Sequence, residues 1–339
     1  MYLKMMRLDE LFREIEQIAK GEIDVSRIAE SRYIPLDEFF LMELEEEEEE
    51  ELRVKDIEVD IEDLEPVDYS LPVVAIDSSS LTIGETEEGP IATIKLAIVA
   101  QSKNRVEVKV YGPLVCHLTS EVFPKVYVFL RNEILGLNET SIPPLHKAQS
   151  RLRNLIERVG QRYASTLIRE GIVLWDGSMT QTIDTPTKMI VDSIKIAKEN
   201  GNSIVAISKR TRLMTVDGKR ITSILRDHNK ACFASVDNII EETSRRYLTE
   251  RVFIVRFSPF SFSFRVDIAP SEGKTHEQVI RELYSSVNLF NGYPMPLKEA
   301  HTSCCFNSPE VIAIKAFLEA KRKILFEEEF DVRRFILYP

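Results

Sequence analysis

The chain has 339 residues and a mass of 39.0 kDa, and 44% of the residues are hydrophobic, which provides for a large core and excludes global disorder. No apolar run approaches the roughly 18 residues that span a bilayer, and the first twenty residues lack an apolar signal core. The four cysteines include no CxxC pair, which argues against a zinc ribbon or a disulfide framework. We therefore expect a cytoplasmic protein with no membrane partner.

The net charge of −11 is concentrated in one segment. Residues 43–65 contain 14 acidic and two basic side chains, including the uninterrupted run Glu45–Glu51. The rest of the chain has a net charge of about +1, so a basic face for nucleic acid is possible there. The glutamate run predicts either a solvated loop or helix, or a regulatory segment that competes with DNA.

In chain order, the first predicted element is an amphipathic helix over residues 5–20, ended by Gly21. After Pro66 the composition changes, and three β-rich runs predict an antiparallel meander: Val73–Asp77, Ile91–Gln101 and Arg105–Tyr111. We place a domain boundary at this change, between an N-terminal helical and acidic region (residues 1–66) and an α/β domain (residues 67–339).

Helices and strands alternate through the rest of the chain. The predicted elements are helix Leu145–Glu170, strand Ile172–Trp175, helix 186–200, strand Ile204–Ile207, strands Val252–Phe257 and Phe260–Val266, and helices 274–290 and 309–328. This order predicts an α/β fold in which helices flank a mixed sheet in the ribonuclease H-like arrangement.

Two apolar strands end in an aspartate, Asp77 in VVAIDSSS and Asp176 in IVLWDGSM. If the strands are neighbours, both carboxylates lie at one edge of the sheet and repel each other unless a cation lies between them. Glu157, on the helix between the strands, is the third candidate, and Gly160 and Ala164 keep its helix face open to another element or a ligand. Glu170 is a rival acid, but it lies near the far end of that helix.

Three carboxylates without sulfur or imidazole suit Mn²⁺ or Mg²⁺, and a pair of such ions supports phosphodiester hydrolysis. A basic stretch over residues 207–230 predicts either a phosphate-binding loop or a solvated one. The candidate DNA-binding residues in it are Lys209, Arg210, Arg212, Lys219 and Arg220.

The segment GYPMPLKEAH is expected to be non-helical and stiffened by its prolines, and it presents Tyr293 and His301. We expect His301 to act on the scissile phosphate or on its water without being a permanent metal ligand, because imidazole can carry a proton near neutral pH. The alternation of Phe257, Phe260, Phe262 and Phe264 is typical of core or dimer packing in a half-buried strand, with a base-stacking platform as the alternative.

Five motifs together resemble the NurA nuclease family: AIDSSS, RNLIE, LWDGSM, AISK and GYPMPLKEAH. The resemblance covers about residues 70–305. It implies a ribonuclease H-like fold, Mn²⁺-dependent DNA exonuclease and single-strand endonuclease activity, a homodimer, and a HerA-type hexameric translocase as partner in DNA end resection. The implied metal ligands are Asp77, Glu157 and Asp176, and the implied catalytic residues add Lys209, Tyr293 and His301. Ser78, in place of a family glycine, and the Glu45–Glu51 run depart from the family pattern.

Two other classes are compatible with such a fold. An actin-like or sugar-kinase ATPase is disfavoured because the chain has 12 glycines but no Gly-Gly pair and no GxxxxGK[ST] loop. A non-catalytic scaffold for DNA or a motor protein is disfavoured because every candidate ligand is present.

Overall fold

The computed structural model describes residues 6–19, 28–31, 52–54, 59–103, 105–137, 141–182, 185–209, 211, 213–215, 218–322 and 325–328. Within these ranges, every helix is too short or too polar to cross a bilayer. Several predicted features lie outside them, namely Gly21, the Glu45–Glu51 run, Arg210 and Arg212.

The strands are β1 Ile28–Ser31, β2 Leu52–Val54, β3 Ile61–Asp63, β4 Val73–Thr86, β5 Gly89–Ser102, β6 Arg105–His117, β7 Ile172–Asp176, β8 Ser203–Ser208, β9 Leu213–Thr215, β10 Cys232–Ser235, β11 Arg251–Arg256, β12 Phe264–Ala269, β13 Leu289–Phe290, β14 Tyr293–Pro294 and β15 Leu325–Glu328. The α-helices are α1 Leu8–Ala19, α2 Val122–Val128, α3 Ala148–Ala164, α4 Thr187–Glu199, α5 Glu242–Arg245, α6 His276–Ser286, α7 Met295–Cys304 and α8 Ser308–Arg322. A π-helical turn, Phe129–Ile134, continues α2.

The main sheet is organised around β4. On one side β4 pairs antiparallel with β5, and β5 pairs antiparallel with β6. On the other side β4, β7 and β8 run parallel. The order β6–β5–β4–β7–β8 is the ribonuclease H-like arrangement, so the predicted fold class is confirmed. Antiparallel strands β12, β11, β10 and β3 extend the sheet beyond β8, and β1 and β15 extend it beside the far end of β4.

The central strands are apolar because helices cover both faces of the sheet. Helices α1 to α4 contribute to the core cluster on one face, which includes Ile76 and Trp175, and α6 and α7 contribute to the cluster on the other, which includes Val73 and Leu174. Burying one such side chain contributes roughly 1.5–3 kcal/mol relative to leaving it exposed. The sheet therefore forms a rigid base for the residues at its edge.

Gly160 explains how closely α3 packs on the sheet. A Cβ at this position would lie 2.5 Å from Ile76 Cδ1 and 2.6 Å from Leu96 Cδ1. The open face that Gly160 and Ala164 predicted on this helix is therefore filled by the sheet, and Ala164 is also buried. The close approach brings Glu157, one turn earlier on α3, next to β4.

The predicted N-terminal helix forms, over Leu8–Ala19 within the described residues. Leu8, Leu11 and Ile15 are buried in the same core cluster as α3 and β4. The helix thus packs against the α/β core, while the domain boundary at residue 66 stays a prediction.

Several predicted elements have wrong ends. β4 continues through Asp77 to Thr86, because the residues after Asp77 pair with β5. The strand predicted from Phe260 begins only at Phe264, after a turn in which Ser261 N donates to Ser258 O. The closing helix ends at Arg322, and β15 occupies part of the range predicted to be helical, where it pairs with β1.

Candidate active site

Strand register places two aspartates side by side. β4 and β7 pair in parallel, with Val73 opposite Ile172 and Ile76 opposite Trp175. The next residues along the two strands are Asp77 and Asp176, and β7 ends there. The Asp77 side chain is 7% exposed and that of Asp176 is 17% exposed. The two carboxylates therefore lie together at one edge of the sheet, as the strand pattern predicted.

His301 reaches this edge from a helix, so the expectation of a non-helical segment is wrong. The hairpin of β13 and β14 ends at Pro294, which caps α7, and Pro296 lies in the first turn. Proline is accepted there because the first N–H groups of a helix have no intrahelical partner. His301 Nδ1 lies 2.7 Å from Asp77 Oδ2, and its Nε2 lies 3.7 Å from the Sγ of Cys305.

Glu157 adjoins Asp77 through Ser78. The Ser78 hydroxyl donates to Glu157 Oε2, and the Ser78 backbone N–H donates to Asp77 Oδ1 at 2.8 Å. Gln161 Nε2 donates to Glu157 Oε1 at 3.2 Å, and Arg153 lies 3.6 Å from Oε2. The serine that departs from the family pattern therefore links two candidate acids, a role that sequence reasoning missed although Ser78 directly follows Asp77.

Lys209 and Tyr293 complete the surroundings of Asp176. Lys209 Nζ lies 2.7 Å from Asp176 Oδ2 and 5.3 Å from the centroid of the Tyr293 ring. The Tyr293 hydroxyl is buried, and none of the described residues forms a hydrogen bond with it. The structure thus brings all six candidate catalytic residues to one region, while Glu170 lies just before the opposite end of β7.

Burial, with a smaller effect of neighbouring negative charge, raises the pKa values of Asp176 and Glu157. Burial raises the pKa of Asp176, and the charge of Asp77 raises it further, against the opposing effect of Lys209. Burial likewise raises the pKa of Glu157 to about 7, and Asp77 again contributes. The hydrogen bond to Asp77, followed by the one to Cys305, raises the pKa of His301 to about 10. His301 is therefore an imidazolium at neutral pH in the metal-free protein.

Tyr293 and Cys305 also titrate unusually. Burial raises the pKa of Tyr293 well above its usual value, and the charges of Asp176 and Asp77 add to this, so the phenol stays protonated. Hydrogen bonds from Cys304 and then from His301 lower the pKa of Cys305 to about 5. Sequence reasoning missed Cys305, because its position four residues after His301 matters only once α7 is known to be a helix.

The chemistry of this cluster fits a divalent cation. Asp77, Asp176 and His301 each offer one ligand atom, and these atoms lie within 4.8 Å of one another. Two carboxylates and an imidazole are a suitable donor set for Mn²⁺, and the carboxylates suit Mg²⁺. Burial is the main cause of the raised pKa values of Glu157 and Asp176, and a cation bound beside these desolvated carboxylates would stabilise their ionised forms. Glu157 lies outside this group of three, so the ligand set Asp77, Glu157 and Asp176 stays a prediction.

The basic segment after β8 is only partly described. Lys219 and Arg220 are exposed. The neighbouring apolar residues Leu213, Ile221 and Leu225 are buried in a cluster with residues of β10 and β11. Arg210 and Arg212 lie outside the described residues. The DNA-binding role of Lys219, Arg220, Arg210 and Arg212 therefore stays a prediction, whereas Lys209 contacts the acidic cluster directly.

Comparison with known proteins finds similar solved structures, although no family model and no curated protein matches the chain. The NurA nuclease from Sulfolobus solfataricus is 14% identical over 77% of this chain and 88% of its own, with a TM-score of 0.45. A second NurA structure is 10% identical over 76% and 90%, with a TM-score of 0.47. A NurA structure bound to dAMP and manganese is 9% identical over the same shares, 76% and 90%, with a TM-score of 0.43.

The solved structures that this chain is similar to thus include the family that its motifs resemble. Because the identities are low and the TM-scores are below 0.5, no residue role is transferred from these structures.

Proposed function

We propose that this chain is a metal-dependent deoxyribonuclease that hydrolyses phosphodiester bonds. One observation carries the proposal: Asp77 and Asp176 lie side by side on parallel strands, and each carboxylate bonds a cationic side chain at 2.7 Å. This arrangement combines acids that can hold a divalent ion with groups that can attract and protonate a phosphate ester.

The acids would hold Mn²⁺ or Mg²⁺, and two ions remain the expected number. Asp77 and Asp176 are the principal ligands and Glu157 is the predicted third, while His301 is expected to carry a proton instead of binding the ion. The bound ions supply Lewis-acid stabilisation of the phosphoryl oxygens and a more acidic water. The Tyr293 hydroxyl, which is buried without a partner among the described residues, is available to donate a hydrogen bond to a bound phosphate or water.

His301, Glu157 and Lys209 can transfer the protons of the hydrolysis and pair with the phosphate. Hydrolysis forms a bond from the water oxygen to phosphorus and breaks the phosphorus–oxygen ester bond, so one proton leaves the water and one reaches the leaving oxygen. His301, held by Asp77, carries a proton at neutral pH and can give it to the leaving oxygen. Glu157, with a pKa of about 7, can accept one near neutral pH. Lys209 is 42% exposed, so its ammonium can pair with a phosphate as well as with Asp176.

The proposal also covers the DNA substrate, the oligomeric state and the partner protein. We propose that the substrates are single- and double-stranded DNA ends, that the protein forms a homodimer, and that it works with a HerA-type hexameric translocase in end resection. These partners are supported by the motif resemblance, which covers about residues 70–305.

The test is cleavage of end-labelled DNA by the purified chain. We expect cleavage of single-stranded DNA and of duplex ends with Mn²⁺, weaker or equal cleavage with Mg²⁺, and none with EDTA. Cleavage in EDTA would contradict the role of a metal ion. Lack of cleavage with either ion, alone and with a translocase, would contradict the proposal and favour the non-catalytic scaffold.

A further inference from the structure

The loop between β11 and β12 exposes two aromatic rings. Residues 257–264 read FSPFSFSF, and the first and last of these phenylalanines are buried. Phe260 is 100% exposed and Phe262 is 80% exposed. Core packing, the favoured interpretation of this alternation, therefore holds for Phe257 and Phe264 and is wrong for Phe260 and Phe262, which precede the strand instead of belonging to it.

This loop lies at the same edge of the sheet as the acidic cluster. β12 runs antiparallel to β8, and Arg265 at the start of β12 pairs with Ser208 at the end of β8, next to Lys209. The turn between β13 and β14 packs on the loop so closely that a Cβ on Gly292 would collide with Ser261. The Phe264 and Tyr293 rings are 5.5 Å apart and Lys209 Nζ lies 5.3 Å from the Tyr293 centroid, so packed side chains connect the loop, the hairpin and Lys209.

The loop between β11 and β12 is uncharged, unlike the acidic cluster and Lys209. Residues 258–263 contain only serine, proline and phenylalanine, so the loop offers rings and no charge for binding phosphate. The hairpin adds a third exposed ring, Phe290, with Lys298 Nζ 3.1 Å from its centroid. A phosphate at Lys209 and flat apolar rings on the loop at the same edge of the sheet match the alternation of charge and base along a nucleic-acid strand.

A second copy of the chain is a weaker match. A stable protein interface buries about 800 Å² on each partner, whereas a phenylalanine contributes at most about 150–250 Å². The two rings are separated by a serine, and further serines flank them, so they form no continuous apolar face. Bases in a duplex are already stacked, so only unpaired bases can use the rings.

We propose that Phe260 and Phe262 form a stacking site for unpaired bases of the strand whose phosphodiester lies at Asp77 and Asp176. The inference rests on the proposed nuclease function and narrows its substrate to single strands and frayed ends. The rings hold the strand next to the site without reading its sequence, because every base presents a flat face.

The experiment measures binding separately from cleavage. Fluorescence anisotropy in EDTA follows a labelled oligothymidylate of about 12 nucleotides and a blunt duplex of the same length. The variants are Phe260→Leu and Phe262→Leu, which keep an apolar side chain but remove the ring. Phe317→Leu is the matched control, because Phe317 is 55% exposed on α8. Cleavage of the same single strand with Mn²⁺ is measured in parallel, and sedimentation velocity follows the oligomeric state.

We expect each loop variant to weaken single-strand binding by about tenfold and to lower kcat/KM correspondingly, with blunt-duplex binding and Phe317→Leu unchanged. The effect of a loop variant should also disappear when the base that faces the ring is replaced by an abasic analogue. Unchanged binding by both loop variants, equal losses for single strand and duplex, no single-strand binding by the wild type, or a loss explained by dissociation of a dimer would each overturn the stacking site.

The two proposals fail in different ways. If the wild type cleaves DNA with Mn²⁺ but the loop variants bind and cleave normally, the nuclease stands and the stacking site is overturned. If the wild type cleaves nothing but single-strand binding depends on the two rings, the stacking surface is supported and the nuclease function is contradicted.

Discussion

Among the residues that the structure describes, two aspartate–histidine pairs have the same 2.7 Å contact, Asp77–His301 and Asp63–His228. The Asp63 side chain is 35% exposed, and it also bonds Lys230, which together with His228 lowers its pKa. Asp77 is buried beside Asp176 and Glu157, and the pKa values of both neighbours are raised. The Asp63–His228 contact is thus a partly exposed pair in which the aspartate also binds Lys230. The Asp77–His301 contact is part of a buried cluster of acids.

The position of each strand explains the difference. Asp63 ends β3, the last strand at one side of the sheet, where water screens its charge. Asp77 lies on β4 in the centre of the sheet, between α3 on one face and α7 on the other, so its surroundings are desolvated. A buried excess of negative charge attracts a divalent ion far more than an exposed ion pair does.

The largest expected effect comes from neutralising one acid of the buried cluster. Asp77→Asn and Asp176→Asn should each lower Mn²⁺-dependent cleavage by about 10³-fold or more, because each removes a charged metal ligand with little change in shape. Asp63→Asn is the matched control and should cleave normally. Thermal unfolding should show both cluster variants folded, and near wild-type turnover by either one in saturating Mn²⁺ would remove it from the metal site.

Substitution of the two histidines, His301 and His228, should likewise have different effects on the cleavage rate. His301→Ala should lower the single-turnover rate by roughly 10² to 10⁴, because a group that holds the proton for the leaving oxygen is lost. His228→Ala should have no effect on that rate. Calorimetry should give a similar Mn²⁺ affinity for His301→Ala and the wild type. Weak Mn²⁺ binding with the rate restored at high metal would instead make His301 a ligand.

The pH dependence of stability tests the buried acids directly. Because the folded-state pKa of Glu157 is raised to about 7, the metal-free folded protein holds a proton that the unfolded chain releases near pH 4.5. The free energy of unfolding should therefore fall as pH rises from about 4.5 to about 7, by an amount on the order of 3 kcal/mol, and Glu157→Gln should reduce this fall. Denaturant unfolding at several pH values measures the free energy of unfolding of the wild type and of Glu157→Gln, with Glu170→Gln as the control. If this free energy falls with pH as much in Glu157→Gln as in the wild type, the raised pKa of Glu157 is contradicted.

The smallest expected effect is stabilisation by the ion itself. Mn²⁺ at tenfold over its Kd should stabilise the wild type and Asp63→Asn by about 1.4 kcal/mol, because the ion binds the folded state only. Asp176→Asn should gain less at the same concentration. Equal gains in all three proteins, measured as shifts in Tm, would place the bound ion elsewhere.

The sequence predicted the parts of the fold that depend on local pattern. The apolar runs ending near Asp77 and Asp176 form adjacent strands, and the helix predicted between them forms and packs on the sheet. Their adjacency was predictable because parallel strands in this topology end at the same edge. His301 was found as a candidate, but its helix was missed because the two prolines of the segment occupy an N-cap and a first turn.

Features that depend on distant contacts could not be predicted. The extension of β4 past Asp77 requires pairing with β5, and the exposure of Phe260 requires that β12 start at Phe264. The link from Ser78 to Glu157 joins residues 79 positions apart, and it exists only because Gly160 lets α3 approach β4.

The sequence by itself therefore determined the mixed α/β class, the main strands and helices, and the candidate acids that they carry. Hydrophobic periodicity and turn chemistry act over a few residues, so these features can be predicted from the sequence without the tertiary structure. Only the tertiary structure decided that Asp77 pairs with His301 across 224 positions while Asp63 pairs with His228 across 165. Strand register and burial set those contacts and the resulting pKa values, and both arise from the packing of the whole chain.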